Sequence, residues 1–355
     1  MGEDDASSSD HVTSRTWITV CAALLVGCGA GLKPLLIDAS SRKPSNVAMY
    51  FAVDDADGEP VADLLASDFK IYEDGKLVSA DESRQIIANP EVAAVHYTLL
   101  LVDMSASVTE SDQVGRIVKA SSDFMARVEP YQKVAVYAFD GAREIYEILP
   151  FTSSGAGSAA GLAKLADFRT RDPSTNLHGA IVEALGKLKQ GLSQAKVPLR
   201  FGTLVVFTDG TDHAARIPLQ ETLDALDASA YTVFTIGVGN EIDDATLSRL
   251  GKAGYVRVES STALADGFAQ IGERIVRFTR RFYLLSYCSP ARAGRHKVTV
   301  EAVSKDARGE ISYAFSARGF GPGCDPNKPP PFDTSGRHST RARKKLAQLG
   351  QSSRK

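Results

Sequence analysis

Four cysteines in 355 residues, with no Cys-x-x-Cys pair, leave no material for a thiolate metal cluster. Neither sign of charge is in excess: 41 basic residues stand against 43 acidic ones, a net of −2. That excludes the strongly basic face of a dedicated nucleic-acid binder. The one long apolar run, Trp17 to Leu32, falls short of the about 20 residues that a membrane-crossing helix needs. A G-x-S-x-G nucleophile elbow is missing, and the Gly237/Gly239 pair lacks the third Gly or the Lys of a phosphate loop. What is present is ordinary: 43% hydrophobic and 24% charged residues argue against a disordered, polytopic or fibrous chain. At this length a single core is outgrown, so two domains, or one with a large elaboration, are expected.

The apolar run ends in Leu25-Val26-Gly27-Cys28, which resembles a bacterial lipobox, the site at which an exported precursor is cut before a cysteine that then receives lipid. The resemblance implies a signal peptide over residues 1–27, Cys28 as lipid attachment site, and a lipid-anchored place in the bacterial cell envelope. Cys21 would then leave with the peptide. Cys288 and Cys324 would remain as the only thiols in an oxidising location, and a disulfide between them follows. Closing that loop stabilises by about 4 kcal/mol on chain-entropy grounds.

Beyond the anchor, residues 28–45 read as a tether containing Ser, Lys and Pro. Over 46–92, β-prone runs at Val47–Val53 and Phe69–Tyr72 are punctuated by Asp57-Gly58-Glu59-Pro60 and Asp74-Gly75, as in a small β-sandwich. From about residue 93 to 280 the pattern alternates. Continuous apolar runs (Val95–Val102, Phe201–Phe207, Tyr231–Val238) mark strands buried on both faces. Between them, Val114–Val128, Leu177–Leu192 and Leu264–Phe278 carry apolar residues at helical spacing, and Lys133–Phe139 with Glu144–Leu149 reads as a strand pair. This is the signature of an α/β domain with a doubly wound, mainly parallel sheet. Over 281–325 the period returns to that of strands, expected to complete a β-module into which the α/β domain is inserted or by which it is flanked. Residues 326–355, Pro-rich and then basic, read as a disordered tail.

Open α/β sheets bind ligands at the C-terminal ends of their strands. There the first strand ends in Asp103-Met104-Ser105-Ala106-Ser107, a second loop brings Ser174-Thr175-Asn176 before a helix, and a third strand ends in Thr208-Asp209-Gly210. Carboxylate and hydroxyl oxygens without His or Cys suit a hard octahedral cation, Mg²⁺ first and Mn²⁺ or Ca²⁺ after it. The competing reading is helix capping, for which Ser111 or Asp112 stand ready. His178 and His213 fall near the expected site and read as polar loop residues, while His96 and His296 lie in strands and form no cluster.

DMSAS after a buried strand, the Thr175 loop, VVFTDG and TIGVG, in that order, resemble the von Willebrand factor type A domain with its metal-ion-dependent adhesion site. The likeness covers roughly residues 95–280. It implies Asp103, Ser105, Ser107, Thr175 and Asp209 as the metal set, with an open position for a partner's carboxylate. Pro173-Ser174 stands where a Gly is frequent in the family. The function expected is therefore a non-enzymatic, lipid-anchored protein that binds a protein ligand through an Asp or Glu, with no nucleic acid and no small-molecule substrate. The alternatives are a metal-dependent hydrolase using Asp212 or His213 as base, or a structural scaffold of the envelope.

Overall fold

The computed structural model describes residues 31–88, 94–111, 113–152, 155–197 and 199–332, with the backbone alone over 155–160. The expected signal peptide (1–27), with Cys21, and Cys28, Asp112 and the chain from 333 onward lie outside the described residues.

Six strands make the central sheet: β6 (Ala94–Asp103), β7 (Lys133–Phe139), β8 (Tyr146–Thr152), β9 (Leu199–Thr208), β10 (Thr232–Val238) and β11 (Gly254–Val258). Their order is β11-β10-β9-β6-β7-β8, parallel throughout except for β8, which runs antiparallel to β7. The continuous apolar runs exist because both faces are covered. Leu100 and Val102 point into a core closed by α3 (Val114–Val128), α4 (Gly155–Ala166) and α8 (Leu264–Arg280). Leu99 and Leu101 point into the opposite core, under α5 (Leu177–Ser193), α6 (Leu219–Ala228) and α7 (Asp244–Leu250). One short helix, α2 (Ala106–Thr109), follows β6 directly.

The flanking segments build a two-sheet sandwich. One sheet has the order β1-β2-β12-β5, from Lys33–Arg42, Asn46–Asp54, Phe282–Cys288 and Ile86–Ala88. The other has the order β14-β13-β3-β4, from Ala307–Ser316, Arg295–Ser304, Phe69–Glu73 and Lys76–Leu77. A single turn of helix, α1 (Ala80–Ser83), precedes β5. Strands from before and after the α/β domain are hydrogen-bonded neighbours in both sheets, since β2 pairs with β12 and β3 with β13. The α/β domain is thus inserted into the sandwich, as the periodicity indicates.

Every residue of β2 is buried. Val47, Met49, Phe51 and Val53 face the sandwich core, while Ala48, Tyr50 and Ala52 face the α/β domain. At that seam the Tyr50 ring stacks on Phe282 at 5.7 Å and Phe201 lies 5.0 Å from Phe282. Cys288 and Cys324 are joined by a disulfide.

The structure departs from the sequence reading in two places. Residues 33–42, within the expected tether, form β1, which pairs along β2 with a register shift between Leu36 and Asp38. The polar Asp38-Ala39-Ser40-Ser41 stretch hides the strand, because an edge strand with one half-buried face needs few apolar residues. At the other end, packing continues past 325. Phe332 is buried with its ring edge-on to Tyr50, and the Pro331 carbonyl accepts from Ser40 Oγ at 2.8 Å. A lone aromatic after a proline run carries no periodicity that would announce this.

Candidate metal centre

The ends of β6 and β9 lie side by side in parallel register, with Val102 opposite Phe207, so the residues that follow each strand meet in space. Asp103 is completely buried at this point. Its Oδ1 accepts the Ser105 backbone N–H at 3.0 Å, which curls the chain into the Asp-x-Ser loop, and its Oδ2 accepts from Thr208 Oγ1 at 2.6 Å. Ser105 Oγ lies 3.2 Å from Ser107 Oγ, and Ser107 Oγ donates to Asp209 Oδ1 at 2.9 Å. Ser105, Ser107 and Asp209 are therefore linked in one run of oxygen-to-oxygen contacts, which Asp103 joins through the Ser105 backbone N–H. The fifth, Thr175, is buried against the same turn, its Oγ1 4.0 Å from where a Cβ on Gly210 would stand.

The capping explanation does not account for this arrangement. Ser105 occupies the N-cap of α2 yet its hydroxyl makes no capping bond. Ser111 Oγ accepts from Gln113 N–H at 3.3 Å and donates to the Val108 carbonyl, away from the site.

The loop carrying Thr175 is fixed from several sides. Asp140, fully buried after β7, accepts from the N–H groups of Ala142 and Arg171 at 2.8 and 2.7 Å. Asp172 pairs with Arg216 at 2.8 Å, and Arg216 Nε donates to the Gly141 carbonyl. A Cβ on Gly141 would stand 2.3 Å from Asp172 Oδ1, so only glycine lets that carboxylate approach. Thr170 Oγ1 donates to the Met104 carbonyl, Pro173 accepts from Ala106 N–H, and Thr175 accepts from Ala214 N–H, tying all three loops together. Beside them His178 Nδ1 lies 2.6 Å from Asp212 Oδ2 and 3.2 Å from the Ile217 carbonyl.

Electrostatically the site is unbalanced. Burial, and then the neighbouring Asp209 carboxylate, push Asp103 up to about 7; the hydrogen bonds from Thr208 and Ser105 oppose this without cancelling it. Burial likewise raises Asp209, with Glu241 adding to the shift. Among the described residues no basic side chain pairs with either carboxylate. Nor do three His, Cys, Asp or Glu side chains converge anywhere among them. The donor set is two carboxylates and three hydroxyls, the hard oxygen chemistry that alkaline-earth cations select over softer metals.

Sequence reasoning named Thr208, His178 and Asp212 without joining Thr208 to Asp103 or His178 to Asp212, and it missed the role of Asp140. Thr208 adjoins Asp209, so its part could have been suspected; the other two act across sequence separations that no local pattern reports.

The fold is an open α/β sheet with hydroxyl and carboxylate groups gathered at the adjoining ends of β6 and β9. Residues 99–270 match the von Willebrand factor type A domain family model, so the chain carries such a domain. No curated protein matches it. Among solved structures, proximal thread matrix protein 1 from the mussel byssus, described with a zinc-occupied MIDAS motif, is 16% identical over 51% of this chain and 48% of its own, with a TM-score of 0.45. This chain thus spans about half of that protein's length. A von Willebrand factor type A protein from Catenulispora acidiphila is 10% identical over 80% and 73% of the two chains (TM-score 0.45). The conserved hypothetical protein BatB from Bacteroides thetaiotaomicron is 18% identical over 51% and 97% (TM-score 0.41).

Proposed function

We propose that the domain binds a divalent cation, Mg²⁺ first, through Asp103, Ser105, Ser107, Thr175 and Asp209, and uses it to hold an Asp or Glu of a partner protein. The observation that carries this reading is the buried Asp103 beside Asp209 with no basic partner for either, in hydrogen-bond contact with neutral hydroxyls. Two such carboxylates are costly to bury unless a cation offsets them. The two carboxylates balance a divalent cation and the three hydroxyls add no further charge, so five donors leave one of six octahedral positions open to an external carboxylate. Asp103, held by Thr208 and the Ser105 N–H, orients the loop; Ser105, Ser107 and Thr175 supply oxygens without neutralising the ion.

On this reading the protein is a non-enzymatic adhesion or assembly factor, lipid-anchored through Cys28 at the bacterial cell envelope. The hydrolase alternative needs Asp212 or His213 as a base. Asp212 is engaged with His178, and His213 turns toward Thr211 at 3.2 Å, so neither observation favours it.

Isothermal titration of the metal-stripped chain with Mg²⁺ and Mn²⁺ tests the site directly. Saturable binding that Asp209→Asn and Ser107→Ala weaken is expected; the absence of any heat with either cation would refute it. A pull-down from envelope extract, run with Mg²⁺ and with EDTA, then tests partner capture, and partners retained equally in EDTA contradict the coordination role.

A further inference from the structure

At the far end of the α/β domain from Asp103, a cleft of about 150 Å³ opens between the sandwich turn Gly58-Glu59-Pro60 and the start of β10. Its cationic lining comes largely from one helix face. Arg274 and Arg277 on α8, and Arg281 just after it, follow at i, i+3 and i+7, the spacing that places side chains on one side of a helix. Lys252 adds a fourth positive group. The acidic groups facing them are fewer. Asp227 is taken by Lys252, Asp54 receives Arg281 Nη1 at 2.7 Å, and Glu59 is the remaining carboxylate on the lining.

Arg281 is the informative residue. Only 1% of its side chain is exposed, and among the described residues its Nε and Nη2 have no hydrogen-bond partner. Buried donors of a charged group are seldom left in that state. Its guanidinium lies 4.0 Å over the Phe278 ring, and that of Arg274 lies 5.7 Å over Phe234. Flat aromatic surface and cationic donors thus line the same opening.

We infer that this seam cleft is a binding site for a small organic anion with an apolar body, its carboxylate or phosphate head drawn to the Arg274–Arg277–Arg281 face and its body packed by Phe234 and Phe278. It is separate from the metal centre and does not depend on it.

The test uses the full chain in EDTA, so that no carboxylate can bind through a metal. Benzoate, inorganic phosphate and benzylamine are titrated, read by saturation-transfer NMR and by the melting temperature. Saturable benzoate binding with a rise in melting temperature is expected, phosphate binding more weakly and benzylamine not at all. Arg277→Glu, at an exposed position that leaves the buried Arg281–Asp54 pair intact, should weaken benzoate about tenfold. Ser229→Phe, which fills the mouth, should abolish it. Benzoate that fails to saturate, benzylamine that binds as well, or benzoate affinity unchanged in both variants would each overturn the assignment; phosphate binding without benzoate would overturn the apolar half of it.

Discussion

Two of the fully buried carboxylates among the described residues, Asp54 in the sandwich and Asp103 in the α/β domain, are both raised above the ordinary range by burial, yet they are treated differently. Asp54, at the seam, has a guanidinium of its own: Arg281 donates to it at 2.7 Å, with both side chains sealed from solvent. Asp103, at the strand ends, has hydroxyls and a second carboxylate instead. A carboxylate whose counter-charge is built into the fold holds structure together. One with no counter-charge among the described residues is, on the proposed function, where a cation is received. The same polar group, at the same burial, is structural or functional according to what the chain leaves out.

The largest effect expected from disturbing this contrast lies at the seam. Arg281→Met leaves Asp54 buried and uncompensated and should cost about 3–5 kcal/mol in denaturant unfolding, most of it recovered when Asp54→Leu is added. Failure of the second change to recover stability would mean that the pair does more than neutralise itself. Next, replacing Cys288 and Cys324 by Ala opens the loop and should cost up to about 4 kcal/mol, confined to unfolding of the sandwich. At the other pole, cation at about a hundredfold over its dissociation constant should stabilise by about 2.7 kcal/mol. That gain should vanish in Asp103→Asn, whereas in EDTA at neutral pH the same variant should melt above the wild type.

The pH dependence is the most diagnostic effect. Asp103 titrates at about 7 when folded against about 3.9 in an unfolded chain, so between these values the folded state holds the extra proton. In EDTA, this group therefore makes stability fall as pH rises from about 4 to 7, at no more than about 1.4 kcal/mol per unit. With saturating Mg²⁺ that slope should disappear. Asp54 adds a slope of the same sign in both conditions, so the difference between the two melting curves isolates the site carboxylates, Asp103 with a contribution from Asp209. Identical pH profiles with and without cation would remove the distinction between the two carboxylates.

The parts of this molecule that were legible are those where one physical demand covers consecutive residues. Strands β6, β9 and β10 are buried on both faces and so are apolar without interruption. Helices α3 and α8 are strongly two-sided and show their spacing plainly. Legibility fails where the demand is weak or distant. Gly155–Ala166 is so rich in Gly, Ala and Ser that it passes for a linker, though Leu162 and Leu165 reach the core. β11 is a short edge strand with three of five residues partly or fully exposed. At the site, Asp103, Ser105, Ser107 and Asp209 are readable because a loop packs several donors into a few residues. The partners that position them, Thr208 on Asp103 and Asp140 on the Arg171 loop, are fixed by strand adjacency, which no single stretch of sequence contains.

The interleaving of the sandwich has a consequence for how the chain is made. β2 and β3 are synthesised before residue 94, but the strands that pair with them, β12 and β13, come only after residue 280: Ala52 waits for Phe282. Until then both early strands carry an unmatched edge, the state in which strands join the wrong neighbour. The α/β domain, whose strand pairings all fall within the intervening stretch, can consolidate first. Doing so brings the end of α8 back beside the start of β6, where Ala94 and Phe282 share one apolar cluster. A closure across most of the polypeptide becomes a short search between neighbouring ends, and the inserted domain serves as the jig on which its host is assembled.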